Sequence, residues 1–121
     1  MKKLIAAAVL AITGTVASAD PVEGVWRSPT NDEGASITVN VVACDSGICG
    51  VIRSVSGGDA SIVGKTMIWG MQPQGGGRYS GGKIWAPDQD KTYNGKLTMS
   101  GNSLKVEGCV LGICRGETFS R

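Results

Sequence analysis

Residues Lys91-Thr92-Tyr93-Asn94-Gly95-Lys96-Leu97-Thr98-Met99-Ser100-Gly101-Asn102-Ser103-Leu104-Lys105-Val106-Glu107 form two alternating runs joined by a turn. Tyr93, Leu97 and Met99 alternate with Thr92, Asn94, Lys96 and Thr98, and Leu104 and Val106 alternate with Ser103, Lys105 and Glu107. A strand turns successive side chains to opposite faces, whereas a helix returns its apolar positions every third or fourth residue. The stretch therefore reads as two half-buried strands that meet at Ser100 to Asn102. Ile37, Val39, Val41 and Ala43, set against Ser36, Thr38 and Asn40, repeat the pattern upstream.

Outward from this hairpin, turn residues recur at short, regular intervals: Pro29 to Gly34, Asp45 to Gly47, Ser56 to Asp59, Gln72 to Gly77, Pro87 to Asp90 and the pair Leu111-Gly112. With Ser100 to Asn102 they imply about eight strands. These fall near Val22–Ser28, Ala35–Cys44, Cys49–Val55, Thr66–Met71, Arg78–Gly81, Lys83–Ala86, Lys91–Ser100 and Ser103–Arg121, the last folding back at its own hairpin. Arg78 to Ala86 also reads as one strand interrupted at Gly81-Gly82, which leaves the count unchanged. Short links between sequential strands make an antiparallel meander, and closure into a small barrel removes its exposed edges.

A further pattern favours closure over a two-sheet sandwich. Gly24-Val25-Trp26 lies on the first strand, and Arg115 and Arg121 lie on the last. This resembles lipocalins, in which a G-x-W on the first strand packs beside an arginine of the final one. The expected fold is thus all-β, an antiparallel meander closed into a small lipocalin-like barrel.

The cysteines occur as Cys44-Asp45-Ser46-Gly47-Ile48-Cys49 and Cys109-Val110-Leu111-Gly112-Ile113-Cys114, two segments with the same spacing and the same Gly-Ile-Cys ending. Four cysteines allow three pairings. Each segment reads as strand, tight turn, strand, and residues facing across a hairpin lie near the separation a disulfide requires. The spacing favours Cys44 with Cys49 and Cys109 with Cys114. A zinc site is the competing reading, but structural zinc sites use shorter Cys spacings and reduced thiols. The spacing of a catalytic C-x-x-C dithiol is absent.

An oxidising compartment agrees with the start of the chain. Lys2 and Lys3 precede an apolar run from Leu4 to Ile12, followed by small residues ending in Ala17-Ser18-Ala19. That order is a signal peptide with an A-x-A cleavage site, removed as residues 1–19. The run is too short for a membrane-spanning helix, and no cysteine at the cut offers a lipid anchor. Residues 20–121 are then one soluble domain in the periplasm. Lys2 and Lys3 leave with the signal, so the remainder holds ten residues of each charge and is neutral. A neutral domain has no field to draw it onto polyanions, which excludes nucleic acid and anionic membranes as expected partners.

A longer resemblance runs through most of residues 20–121. Asp20-Pro21-Val22-Glu23-Gly24-Val25-Trp26-Arg27, Cys44 to Gly50, Met71-Gln72-Pro73-Gln74-Gly75-Gly76-Gly77-Arg78-Tyr79, Gly82 to Tyr93, Gly108-Cys109-Val110 and Ile113-Cys114-Arg115 are similar, in order, to the bacterial domain-of-unknown-function 2147 family. The resemblance implies a small exported lipocalin-like protein and transfers no catalytic residue. Phe119 stands where such proteins commonly carry a tryptophan.

No histidine is present, so the usual general base near neutral pH is missing, and Ser/His/Asp and Cys/His devices are excluded. The carboxylate pairs Asp32/Glu33 and Asp88/Asp90 lie in turns, where Asp caps backbone. Gly75-Gly76-Gly77 lacks the Lys-Ser/Thr and the helix of a phosphate loop. No catalytic residue, cofactor or metal is expected. Two functions remain. The first is a barrel that binds a small apolar or amphipathic ligand, with Trp26, Met67, Trp69, Trp85 and Arg115 as binding residues; Met67, Trp69 and Met71 form a one-sided stripe that could line such a cavity but reads more readily as core packing, since Met and Trp fill barrel interiors. The second is a protein-binding module, such as an inhibitor of a lysozyme or protease in the cell envelope. It would act through the glycine-rich loops that carry Gln74, Gly76 and Asp88.

Overall fold

The structure, a computed structural model, describes residues 20–121; the expected signal peptide, residues 1–19 with its cleavage point at Ala19, lies outside the described residues. Eight strands follow in order: β1 Gly24–Arg27, β2 Ser36–Cys44, β3 Gly47–Ser56, β4 Thr66–Gly75, β5 Arg78–Ala86, β6 Lys91–Ser100, β7 Ser103–Val110 and β8 Ile113–Ser120. They pair antiparallel with their sequence neighbours and close as β1 to β8 into one barrel. A short 3-10 turn, Ala60–Ile62, sits in the β3–β4 link, capped by the Asp59 carboxylate accepting from the Ser61 N–H.

Arg78 to Ala86 is one strand. The expected break at Gly81-Gly82 is a bulge: Ser80 pairs with Lys96 and Gly82 with Gly95, so Gly81, at φ +83°, is left over. Two more bulges reshape β4. Gly50 pairs with Ile68 but its neighbour Val51 pairs with Thr66, which makes Met67 an extra residue; a second extra residue falls between Ile68 and Met71, where Gly70 has φ +70°. Each bulge slips the alternation by one position. Met67, Ile68 and Met71 are consequently all buried, while Trp69, paired with exposed Lys83, is left half-buried. The expected one-sided stripe of Met67, Trp69 and Met71 is therefore corrected to Met67, Ile68 and Met71.

The two cystines take the pairing that the spacing favours, Cys44 with Cys49 and Cys109 with Cys114. Only the second joins directly opposed residues; Cys44 faces Gly47 and Cys49 faces Val42, so the first cystine is diagonal. Their Cα separations are 4.0 Å for the opposed pair and 6.0 Å for the diagonal one.

β1 is shorter than expected, ending at Arg27. Pro29 follows closely and has no N–H to offer a ladder. β1 and β8 share one register pair, Arg27 with Ser120. Among the described residues, the outer edge of β8 from Ile113 to Thr118 has no strand beside it, so the barrel has a side gap next to the β1–β2 link.

The strand ends divide the barrel in two. One end carries the β2–β3, β4–β5 and β6–β7 turns and is packed with apolar side chains, among them Trp26, Met71, Leu97 and Leu104, all essentially without solvent exposure. Burying each such side chain contributes about 1.5–3 kcal/mol. The other end carries the β1–β2, β3–β4, β5–β6 and β7–β8 links.

Candidate functional site

The closed end is sealed by its aromatic residues. Trp26 is buried and its ring N–H donates to the Val22 carbonyl at 2.8 Å. The Arg121 guanidinium lies 4.1 Å from the Trp26 ring centroid and donates to the Glu23 and Pro21 carbonyls at 3.1 and 2.9 Å. Arg121, and not Arg115, is thus the arginine that meets the G-x-W tryptophan. Arg115 points elsewhere because it lies six residues earlier, near the opposite end of β8, whereas Arg121 directly follows that strand. Tyr79 donates its hydroxyl to the Asp20 carboxylate, and burial, followed by that carboxylate, pushes its phenol above the ordinary range.

The open end holds a cavity of about 890 Å³, within the range of about 300–1,000 Å³ usual for small-molecule sites. Its deep wall is apolar: Ile37, Val55, Met67, Ile84, Val106 and Phe119. Strand alternation places them, since Val106 and Phe119 belong to the inward sets of β7 and β8, and Ile84 pairs across with inward Ile68. Met67 reaches this wall only because of its bulge.

The rim is polar. Arg115 and Glu117 continue the inward set of β8 above Phe119 and line the cavity beside the side gap, opposite Ser28, Pro29 and Asn31. Among the described residues neither has an opposite charge within ion-pairing distance. Asp59 and Asp88 complete the charged lining. Hydrogen bonding from Ser61 holds the Asp59 carboxyl below its usual value. Trp85 stands next to the cavity and braces its rim: its ring N–H donates to Asp90 at 2.9 Å, and the Lys65 ammonium lies 5.5 Å from its centroid. One tryptophan so ties the β3–β4 and β5–β6 links together.

Of the residues singled out for ligand binding, Met67 and Arg115 line the cavity. Trp26 seals the other end, Trp69 lies on the wall away from the cavity, and Trp85 braces the rim. Of the loop residues, Asp88 is at the cavity end, whereas Gln74 and Gly76 sit on the β4–β5 hairpin at the closed end. The structure does not bring those three onto one face. Sequence reasoning missed Ile37, Val55, Ile84, Val106, Glu117 and Phe119 as lining; the alternation of β2 and β7 put Ile37 and Val106 on the apolar face, without marking which end is hollow.

An eight-stranded antiparallel barrel, sealed at one end by a Trp–Arg pair and hollow at the other, is a lipocalin-like fold. The chain belongs to the family of uncharacterised proteins conserved in bacteria termed domain of unknown function 2147, whose model matches residues 24–121. A solved Helicobacter pylori protein, described as belonging to the lipocalin family, is similar in fold, with a TM-score of 0.68 and 15% identity over 86% of this chain and 84% of that one. No curated protein sequence matches the chain.

Proposed function

We propose that this protein is an exported, periplasmic carrier or sensor that binds a small amphipathic molecule in the open end of its barrel, and that it performs no catalysis. The observation that carries the reading is the cavity, about 890 Å³ in all, with an apolar deep wall and a charged rim. Such a site takes an apolar body inside and leaves a polar group at the mouth. Arg115 supplies a free fork of donors for a carboxylate or other anionic group, and charge-assisted pairs of this kind are stronger than neutral ones. Met67, with its flexible thioether, adapts the wall to ligands of differing shape.

Export is supported by the Lys2 to Ala19 pattern and by two cystines, which persist in oxidising compartments. Cleavage after Ala19 would leave residues 20–121 as the working domain. The protein-binding alternative draws less support, because Gln74 and Gly76 lie at the end opposite Asp88.

The test is native mass spectrometry of protein taken from its own compartment, joined to a melting screen with fatty acids, lysolipids and neutral apolar compounds. A bound small molecule, and a melting shift that Arg115→Ala reduces for anionic ligands alone, are expected. An empty protein that no compound on the panel stabilises would overturn the reading.

A further inference from the structure

Among the described residues four large apolar side chains are left exposed, and all four lie at the open end: Val63 (46%), Val110 (52%), Leu111 (97%) and Ile113 (65%). Three of them form the tip of the β7–β8 hairpin. Leu111 is disfavoured there on two counts. It is in water, and it occupies the first turn position at φ +51°, followed by Gly112 at φ +83°. That turn requires left-handed backbone at both positions, where Asn, Asp or Gly is the fitting residue and a branched apolar one is strained. Folding gains nothing from Leu111, so its use lies in what covers it.

We infer that the tip is a lipid-docking element that inserts Leu111 and Ile113 into the interfacial layer of a zwitterionic bilayer, with the barrel mouth facing the lipid. A protein partner or a second copy would need anchors that the tip lacks: the energetic centres of specific interfaces are enriched in Trp, Tyr and Arg and poor in Leu and Val, whereas the tip offers the aliphatic Val110, Leu111 and Ile113. A fluid lipid surface needs no matching shape. The Cys109–Cys114 cystine sits directly below the tip, so the hairpin enters lipid already ordered. Charge selects the lipid. Around the mouth Asp32, Glu33, Asp59, Asp88, Asp90 and Glu117 outnumber Lys65, Lys91 and Arg115, and an anionic surface would repel that rim. Val110, Leu111 and Ile113 also border the mouth of the cavity, but docking uses their exposed surface and stands whether or not the cavity holds a ligand.

Flotation with phosphatidylcholine vesicles tests this, using the full chain and a chain beginning at Asp20, which contains the entire described barrel and lacks the apolar run Leu4 to Ile12. The chain from Asp20 should float reversibly, half-bound at about millimolar lipid, weaker than a single acyl anchor. Leu111→Asn keeps the turn, melts no lower than the parent, and should bind at least tenfold less. Replacing part of the lipid by phosphatidylglycerol should weaken binding. Ile84→Trp, which fills the cavity, should float unchanged, so that loss of ligand binding and loss of docking are told apart. Failure of the chain from Asp20 to float, equal flotation of Leu111→Asn, stronger binding to anionic vesicles, or a lipid-free dimer that Leu111→Asn dissociates would overturn the inference.

Discussion

The Arg121 guanidinium packs 4.1 Å from the Trp26 ring centroid while its nitrogens hold the carbonyls of Pro21 and Glu23. One residue at the end of β8 therefore clamps the chain that leads into β1, at the seam where the two strands share their one register pair, Arg27 with Ser120. Closure of the barrel rests on side chains more than on ladder hydrogen bonds.

Arg121→Ala should accordingly lower unfolding free energy by about 1–2 kcal/mol, the scale of a cation–π contact plus charged hydrogen bonds. Trp26→Ala should cost about 3–5 kcal/mol, because it empties a fully buried site. Urea unfolding of both variants measures this, and Arg121→Lys should recover only part of the loss, since an ammonium lacks the planar fork.

The cystines staple local hairpins, so reduction should weaken the fold without abolishing it. Closing a six-residue loop contributes on the order of 2 kcal/mol, which corresponds to a melting shift of roughly 10 °C for a chain this size. The double replacements Cys44→Ser/Cys49→Ser and Cys109→Ser/Cys114→Ser should give nearly additive losses in calorimetry, since the staples lie at opposite ends of the barrel.

Gly82 permits the close crossing that the β4 and β5 bulges require. A Cβ there would lie 2.3 Å from the Trp69 carbonyl oxygen and 2.7 Å from Gly70 backbone, neither of which can rotate away. Gly82→Ala should therefore cost more than the about 1–3 kcal/mol of ordinary overpacking. Gly34→Ala, at φ +82° with open space around it, should cost about 1 kcal/mol. Comparison of their denaturation midpoints separates steric from conformational strain.

Alkaline pH provides a further check through Tyr79. Its folded-state phenol is raised by burial and by Asp20, while in the unfolded chain it loses its proton near the ordinary value of about 10. The unfolded state releases the proton first, so the contribution of Tyr79 is fully present below pH about 10 and is lost as pH rises beyond it. Tyr79→Phe should show a shallower loss of stability than wild type above that pH, measured by urea midpoints at successive pH values.

Much of the architecture was legible because alternation was unbroken in β2, β6 and β7, and because the repeated cysteine spacing pointed to local pairing. β4 was misread for a definite reason: extra residues at Met67 and near Gly70 each shift the face by one position, and although a glycine inside a strand can mark a bulge, nothing in composition marks the one at Met67. Arg115 on β8 and Arg121 just beyond its end serve opposite ends of the barrel, a difference that depends on barrel stagger rather than on local pattern. The hollow end was invisible for a related reason. Whether inward side chains meet depends on where β1 stops, and β1 stops at Arg27, short of the upper part of β8.

The cavity claim is tested most directly by methyl NMR of the methionines during titration with an amphipathic ligand. Met67 lines the open-end cavity, whereas Met71 is fully buried in the packed end. Ligand should move the Met67 methyl resonance and leave that of Met71 in place. A panel of apolar and amphipathic compounds that leaves Met67 unmoved, or shifts both methyls equally, would contradict a binding site at the open end of the barrel.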